Sequence, residues 1–313
     1  MSSETFPVGC FGKLPFWPEY LELGTGFPTS QSLKQWLHQG REEAGLSGEG
    51  LGRTDVELYA NLRLLVGLPG STELLVGVLR PSKDAGGRHF PFVTFTHLPR
   101  RLYGRHYALL PLALAPVWRE LDEAWDSLAS MASKDAFREV LEELKVGGPE
   151  ALRQAQNDYR SRQGETADRL FDRDDGASLD RLNENMPGVL DELKKRGADG
   201  GLRLQLPVSG DVDEACLDAS IWIDVLNRQF RFRRYDPSVI LDATPGERKR
   251  LAFLKFGALD PGDYGWTVMP EATMTEFASP AHSAGPEAGS GVPAAPTGMT
   301  VADFLGSRFA RGK

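Results

Sequence analysis

Cysteine is scarce in this chain, and long hydrophobic runs are missing from it. The 313 residues include two cysteines, Cys10 and Cys216, which lie far apart and outside any C-x-x-C pattern. We therefore expect no disulfide framework and no zinc site, and a reducing cytoplasm is the expected location. The first residues, MSSETFPVG, have no basic start followed by an apolar stretch, and no apolar run approaches the length of a membrane span. We expect neither export by a standard signal nor direct insertion in a membrane.

Positive charge is also in deficit. The chain has 36 Lys and Arg against 44 Asp and Glu, which gives a formal net charge of −8. Nucleic acids and anionic membranes select basic surfaces, so nucleic acid is not an expected partner of the whole chain. An apolar fraction of 41% is enough to fill a hydrophobic core, and we predict a globular protein.

Sequence patterns of the common enzyme classes do not occur. Walker, Rossmann, kinase, HExxH and G-x-S-x-G patterns are missing from the sequence. The segment DRDDG at Asp172 begins like a calcium loop, but its Gly comes one position early and no Glu stands at position twelve. We predict no metal site, no cofactor and no catalytic residue, and hence a protein that is not an enzyme.

One stretch, Gly77 to Pro91 (GVLRPSKDAGGRHFP), organises the first half of the chain. It lies between two runs of strand character, Glu73 to Leu79 and Phe90 to Leu98, which predict two neighbouring strands. Proline, glycine, serine and aspartate set up tight turns in the connection, which is longer than the loop of a simple hairpin. Long connections of this kind carry function disproportionately, so this loop is the best candidate site.

The polar side chains of this loop admit two interpretations. In the favoured one, Asp84 accepts backbone N–H bonds within the turn, and Arg88 pairs with a carboxylate or carbonyls. The alternative is a hydrolase centred on Asp84, Arg88 and His89. Ser82, Asp84 and His89 could resemble a triad, but side chains so close in sequence rarely converge beside a separate oxyanion hole.

Further elements around the loop predict an α+β fold, in which an antiparallel sheet is flanked by helices. Three strand candidates joined by turns favour a meander, and we expect the helices to cover one face of the sheet. His38, on the first predicted helix, is expected to face solvent. The elements predicted up to Gly148 are a strand over Phe6–Leu14, a helix capped by Ser30 and ending near Ala44, a strand over Val56–Gly67, a helix from Pro116, and a helix capped by Ser133.

The later part of the chain predicts a helical insertion followed by further strands, in a second sheet or an extension of the first. A capping box at Thr244, Pro245 and Glu247 predicts a helix that carries Leu251 and Leu254 and ends at Gly257. The predicted strands are LRLQLPV from Leu202, Ser220–Leu226 and Gln229–Tyr235 as a hairpin, and Tyr264–Val268.

Three regions follow from this pattern. We predict an α+β domain over residues 1–147, an acidic helical region with further β strands over residues 148–270, and a flexible tail rich in Ala, Pro and Gly over residues 271–313. The second region includes Glu165–Glu192, with nine acidic against three basic side chains. The tail ends in a short amphipathic segment around Phe304, which could serve as a docking peptide.

Three motifs follow one another along the chain: Gly12, Lys13, Leu14 and Pro15, then Trp36 and Leu37, then Pro81, Ser82, Asp84, Gly87, Arg88, Phe90 and Pro91. Together and in this order they resemble the TagF (ImpM) family of type VI secretion accessory proteins. The resemblance covers roughly the first 130 residues. After Pro15 the sequence departs from the family, because FWPEYLELG stands where a Gly-Asp-Phe element is usual.

The resemblance implies a cytoplasmic, non-enzymatic regulator. Members of the family look like post-translational repressors of type VI assembly that bind the forkhead-associated scaffold protein of the system. A structural assembly factor that docks through its C-terminal peptide is a further possibility. The residues that we expect to bind the partner lie in the loop and beside it: Lys13, Pro81, Ser82, Asp84, Arg88 and His89.

Overall fold

Antiparallel pairing joins all the strands of this protein that the structure, a computed structural model, describes. It describes residues 5–44, 46, 61–131, 133–143, 145–147, 152–162, 203–230, 236–244 and 250–268. The strands are β1 (Thr5–Leu14), β2 (Trp17–Leu23), β3 (Leu62–Gly67), β4 (Glu73–Arg80), β5 (Phe92–Pro99), β6 (Lys145–Gly147), β7 (Arg203–Val208), β8 (Ser238–Asp242) and β9 (Arg250–Lys255). Their order in the sheet is β2-β1-β5-β4-β3-β8-β9-β7, and β6 pairs with the beginning of β1.

Most of the helices lie in connections between strands, and the last one follows β9. A 3₁₀ segment, Gly104–Leu109, lies between the second and third helices. The helices are α1 (Pro28–Glu43), α2 (Arg100–Tyr103), α3 (Leu110–Ala113), α4 (Ala115–Ala129), α5 (Lys134–Glu143), α6 (152–162), α7 (Val212–Phe230) and α8 (Gly262–Val268). Among the helices described, none is long and apolar enough to cross a membrane.

Both faces of the sheet are buried. Successive side chains of a strand point to opposite faces, and along β4 they alternate between two hydrophobic clusters. Val76 belongs to the cluster that includes Trp118 of α4 and Ile223 of α7. Leu75 belongs to the cluster that includes Trp36 of α1. The expectation that helices cover a single face was therefore wrong, and the near-continuous apolar run of β4 reflects burial on both sides.

The α+β class with an antiparallel sheet flanked by helices is confirmed. β4 and β5 are antiparallel neighbours on either side of the loop, paired from Glu73 with Pro99 to Arg80 with Phe92. The helix predicted from Ser133 is α5, and the Ser133 hydroxyl accepts a hydrogen bond from the Ala136 N–H at 3.2 Å.

The start of α1 differs from its prediction. Pro28 is the first residue of this helix, and Phe27 stands at the N-cap without a side-chain cap. Ser30 therefore lies inside the first turn, where its hydroxyl donates to the Phe27 carbonyl at 2.9 Å. A Pro at the first helical position, with its preset φ, marks the start better than the serine does.

The predicted hairpin over Ser220–Leu226 and Gln229–Tyr235 was wrong. The first predicted strand and the beginning of the second lie within the long helix α7, which runs from Val212 to Phe230. Residues 231–235 lie outside the described residues. Asp211 caps α7, because its Oδ1 atom accepts the Asp213 and Glu214 N–H groups at 3.0 and 2.9 Å.

Near the end of the described chain, a segment predicted as helix forms a strand, and a segment predicted as strand forms a helix. Leu251 and Leu254, predicted on a helix, lie on β9, which is buried along its whole length. Tyr264–Val268, predicted as a strand, belongs to α8. The proposed capping box lies mostly outside the described residues; Thr244 itself follows β8 and accepts the Asn61 N–H at 3.0 Å.

Strands from the later part of the chain extend the first sheet. β8 pairs with β3 from Asp242 opposite Leu62 to Val239 opposite Leu65, and β9 and β7 follow beyond it. Of the long strand predicted from Val56, residues 62–67 are observed as β3, and 56–60 lie outside the described residues. The acidic stretch Glu165–Glu192 and the tail also lie outside the described residues. The division into three regions stays a prediction.

Candidate functional site

The loop between β4 and β5 folds onto β1 and β2. The Ser82 hydroxyl donates to the Lys13 carbonyl at 2.7 Å, and the Ala85 N–H donates to the Trp17 carbonyl at 3.4 Å. Within the loop, the Phe90 N–H donates to the Ser82 carbonyl at 3.0 Å. The loop is thereby attached to the strands at one end of the sheet.

Asp84 is the centre of the loop, and both of its carboxylate oxygens are occupied. Oδ1 accepts the backbone N–H groups of Gly86 and Arg88, each at 2.9 Å. Oδ2 accepts Lys13 Nζ at 2.8 Å and Arg88 Nε at 2.7 Å. Gly87, at φ 80°, makes the turn that returns the chain toward the carboxylate. The favoured sequence interpretation of Asp84 and Arg88 is confirmed, and Lys13 joins them.

Asp84 is ionised in this setting. Its side chain has no solvent exposure, and burial by itself raises the pKa of a carboxyl. The hydrogen bonds from Lys13 and from the Arg88 backbone and side chain outweigh that effect, so the pKa of Asp84 lies well below its usual value. Asp84 therefore acts as a fixed anion that holds two cations and two backbone amides.

The same end of the sheet lies within a region that matches a known domain. A model of the TagF N-terminal domain, described as type VI secretion system-associated, matches residues 9–144. The chain carries a TagF N-terminal domain.

Solved structures give a weaker likeness. The crystal structure of PA0076 from Pseudomonas aeruginosa PAO1 is similar at 13% sequence identity with a TM-score of 0.44, over 91% of this chain and 100% of that chain. None of the curated protein sequences matches the chain.

The six expected site residues of the TagF domain differ in exposure. Lys13 and Asp84 are buried, with 7% and 2% relative exposure for the whole residue. Pro81, Ser82 and His89 are half-buried, whereas the Arg88 side chain is 67% exposed. Arg88 is therefore accessible from solvent, whereas the buried pair of Lys13 and Asp84 holds the loop in shape.

The triad arrangement is not formed. The Ser82 hydroxyl donates to the Lys13 carbonyl, and the Asp84 oxygens bind Lys13, Gly86 and Arg88. His89 contributes its carbonyl, which accepts Arg41 Nη2 at 3.1 Å, while its buried Nδ1 atom has no hydrogen-bond partner.

An aromatic cluster beside the loop was missed from the sequence. It consists of Phe11 of β1, Tyr20 of β2, His38 of α1 and Phe90 of the loop. The expectation that His38 faces solvent was wrong: the imidazole is half-buried, and burial lowers its pKa. Its position with Lys34 and Arg41 at helical spacing on α1 is a signal that could have indicated a shared face.

Metal and thiol chemistry have little support in the described part of the chain. There, no three His, Cys, Asp or Glu side chains form a group that could hold a metal ion. Cys10 and Cys216 are free and buried, and burial raises the pKa of each thiol to about 12. Both thiols are therefore protonated at neutral pH.

Proposed function

We propose that this protein is a non-enzymatic, cytoplasmic regulator of a type VI secretion system, and that it represses assembly by binding a component of that system. The TagF N-terminal domain at residues 9–144 supports the connection to type VI secretion. The forkhead-associated scaffold protein is the partner that the family resemblance favours. The loop between β4 and β5 is the proposed contact.

The arrangement of Asp84 is the observation that favours binding over turnover. A general base must be free to take a proton, and a nucleophile must reach a substrate atom. The Asp84 carboxylate is buried, ionised and engaged by four donors. A site built in this way presents a rigid surface, because the loop backbone is tied to its centre.

Accessible parts of the loop would make the contact. Lys83 and the residues from Ala85 to Arg88 are exposed, whereas Asp84 lies beneath them. Rigid loops lose little conformational entropy when they bind, which favours affinity. The partner is therefore expected to touch Arg88 and its neighbours directly.

The experiment is a binding measurement between the purified full chain and the purified forkhead-associated scaffold protein. Three variants are compared with the wild type: Asp84→Ala with Arg88→Ala, a chain that ends at Pro270, and Arg105→Ala as a control on the exposed 3₁₀ segment. Each is first shown to be folded by thermal melting. We expect the double variant to bind at least about 10-fold more weakly, with the control unchanged.

Other outcomes point elsewhere. Loss of binding only on truncation would move the contact to the C-terminal peptide, as an assembly factor that docks by its tail requires. If neither the scaffold protein nor any other purified type VI component binds the wild type, the proposed function is wrong. Repression is tested in cells, where deletion of the gene should raise type VI secretion and overproduction should lower it.

A hydrolase is the second candidate, and one observation favours it. His89 Nδ1 is buried without a hydrogen-bond partner, on the same loop as Asp84 and Arg88, and histidine is the side chain that enzymes use most often for acid–base catalysis. Hydrolysis of p-nitrophenyl acetate or p-nitrophenyl phosphate by the wild type, with loss in a folded His89→Gln variant, would support this candidate. We expect no hydrolysis above that of the variant.

A further inference from the structure

The aromatic cluster beside the loop forms a compact unit of four rings. Every one of its six ring pairs is in contact, with centroid separations from 4.8 Å for Tyr20 and Phe90 to 5.8 Å for Phe11 with Tyr20 and with Phe90. The rings come from β1, β2, α1 and the loop. Aromatic pairs at these distances stabilise each other beyond the area that they bury. The cluster therefore joins the loop rigidly to three other elements.

Two of the rings form a base, and the other two reach the surface. Phe11 and Phe90 are buried, at 3% and 1% exposure. His38 is half-buried, and Tyr20 is 43% exposed. An exposed ring supported from below by buried rings is already ordered before it binds, which is typical of the residues that dominate binding energy at protein interfaces.

Two buried cations lie against rings of the cluster. Lys13 Nζ lies 5.1 Å from the Tyr20 ring centroid, and the Arg41 guanidinium lies 4.8 Å from the Phe90 centroid. The charges of Arg41 and Arg88 also act on the Tyr20 hydroxyl and favour its anionic form, although burial raises the pKa of this group overall.

Carboxylates cancel all but one of the positive charges around the cluster. The charged side chains around the cluster are Lys13, Lys34, Arg41 and Arg88 against Glu22, Asp84 and Glu42. Four cations and three carboxylates leave one net positive charge, in a chain whose formal net charge is −8. Lys13, Arg41 and Asp84 are buried, so their charges act from beneath the surface. Lys34 is paired with Glu22, and Arg88 is the cation of this group that a partner can reach.

The Arg88 guanidinium is held in one orientation by two hydrogen bonds. Its Nε atom binds Asp84 and its Nη2 atom donates to the Pro18 carbonyl at 2.9 Å. These two bonds fix the guanidinium, yet 67% of the side chain is exposed. A fixed, exposed guanidinium binds a carboxylate well, because little side-chain freedom is lost.

We infer that Tyr20, His38 and Arg88 form a docking site for an acidic segment of the type VI partner, with a carboxylate on Arg88 and an apolar side chain against the Tyr20 ring. We name these three residues the Tyr20 patch. The inference rests on the proposed function and specifies the chemistry of its partner. Charge complementarity selects the occupant: the exposed Arg88 guanidinium repels a basic segment, whereas it attracts and orients an acidic one.

The test measures the affinity of the full chain for the purified scaffold protein. Arg88→Glu should raise the Kd at least about 10-fold and should remove most of its dependence on NaCl concentration. Tyr20→Ala should raise the Kd about 10-fold, and Tyr20→Phe should change it less than about 3-fold, since the ring is retained. Thermal melting establishes that each variant is folded.

Matched controls lie elsewhere on the same domain. Phe27→Ala removes a ring that is 48% exposed, at the opposite end of α1 from His38, and Arg105→Glu reverses an exposed charge on the 3₁₀ segment. Neither control should change the Kd more than about 2-fold. Equal losses in the controls and in the patch variants would overturn the inference.

A photocrosslinking amino acid at position 20 identifies the partner segment. The inference expects a cross-linked segment with excess Asp and Glu, and expects that a Lys in place of its contacting carboxylate restores binding to the Arg88→Glu variant. A neutral or basic cross-linked segment, or a cross-link to a second copy of this chain, overturns it. If the scaffold protein binds and patch variants have no effect, only this inference fails; if no type VI component binds the wild type, the proposed function fails with it.

Discussion

Lys13 and Asp84 form a buried ion pair although they are 71 positions apart in the chain, with Nζ and Oδ2 separated by 2.8 Å. The side chains have 9% and 0% relative exposure. The pair connects β1 to the loop between β4 and β5. Because Oδ1 of the same carboxylate binds two loop amides, the contact ties the loop backbone to the sheet.

Removal of the carboxylate should destabilise the protein. Asp84→Ala leaves the Lys13 ammonium buried without its anion and two loop amides without their acceptor. We expect the free energy of unfolding to fall by about 2–4 kcal/mol, as measured by urea denaturation. Lys13→Met removes a buried charge along with its contact, so its cost should be smaller, about 1–2 kcal/mol.

The double variant makes the coupling measurable. If the two side chains stabilise each other, the losses in Lys13→Met and Asp84→Ala sum to more than the loss in the combined variant. Additive losses would show that the pair contributes nothing beyond the separate contacts.

Gly12 should tolerate no side chain. Its φ is +141°, and an added Cβ would lie 2.4 Å from the Pro91 carbonyl oxygen and 2.7 Å from Phe92 Cα. Both neighbours are backbone atoms and cannot move away alone. We expect Gly12→Ala to lower the free energy of unfolding by more than about 2 kcal/mol. Gly26→Ala is the matched control, because a Cβ there meets no atom within 4 Å; similar losses at both positions would contradict this account.

Local turn chemistry explains how much of the site could be predicted. The loop was found because Pro81, Asp84 and Gly87 act on their own neighbours in the chain, and such residues carry their structure with them. The ion pair of Asp84 with Lys13 could not be predicted in this way. Nothing in the residues near Lys13 indicates which distant carboxylate it binds.

Complete burial explains why α7 was mistaken for strands. The nine residues 215–223 are all buried, so the helix has no polar face whose period could be recognised. Its polar members are satisfied inside the fold: Asp218 accepts the Ser209 N–H at 2.7 Å, and the Ser220 hydroxyl accepts the Leu112 N–H at 3.1 Å. β9 was predicted as part of a helix for the same reason, because a strand that is buried on both faces shows no alternation of apolar and polar residues.

The cap of α7 gives a direct test of the corrected assignment. Asp211 accepts two N–H groups of the first turn, so Asp211→Ala should lower the free energy of unfolding by about 1 kcal/mol, and Asp211→Ser should cost less. Urea denaturation measures both. An exposed aspartate before a strand would have no such role, and an unchanged stability in Asp211→Ala would count against the cap.

His97 should make the protein sensitive to mild acid. It lies on β5 opposite Leu75, with its ring centroid 4.3 Å from that of Phe27, and its Nε2 atom is buried without a hydrogen-bond partner. Burial lowers the pKa of His97 from 6.5 to about 4, although the Glu73 carboxylate acts in the opposite direction. The folded protein therefore holds His97 neutral where the unfolded chain protonates it.

The sign of the effect follows from this difference. Well above pH 6.5 neither state binds the proton, and His97 has no influence on stability. As the pH falls from 6.5 toward 4, the unfolded state gains a proton that the folded state does not, so stability decreases. With partial exposure taken into account, the loss from His97 between about pH 7 and pH 4.5 should be about 1–2 kcal/mol.

A His97→Gln variant isolates this contribution from the other groups that titrate in acid. Urea denaturation at about pH 7 and about pH 4.5 should show that the wild type loses about 1–2 kcal/mol more than the variant does. An NMR titration of the His97 ring should give a midpoint well below 6.5 in the folded protein. If both proteins lose the same stability, or if the ring titrates at its ordinary pKa, then His97 is not desolvated as its position on β5 requires.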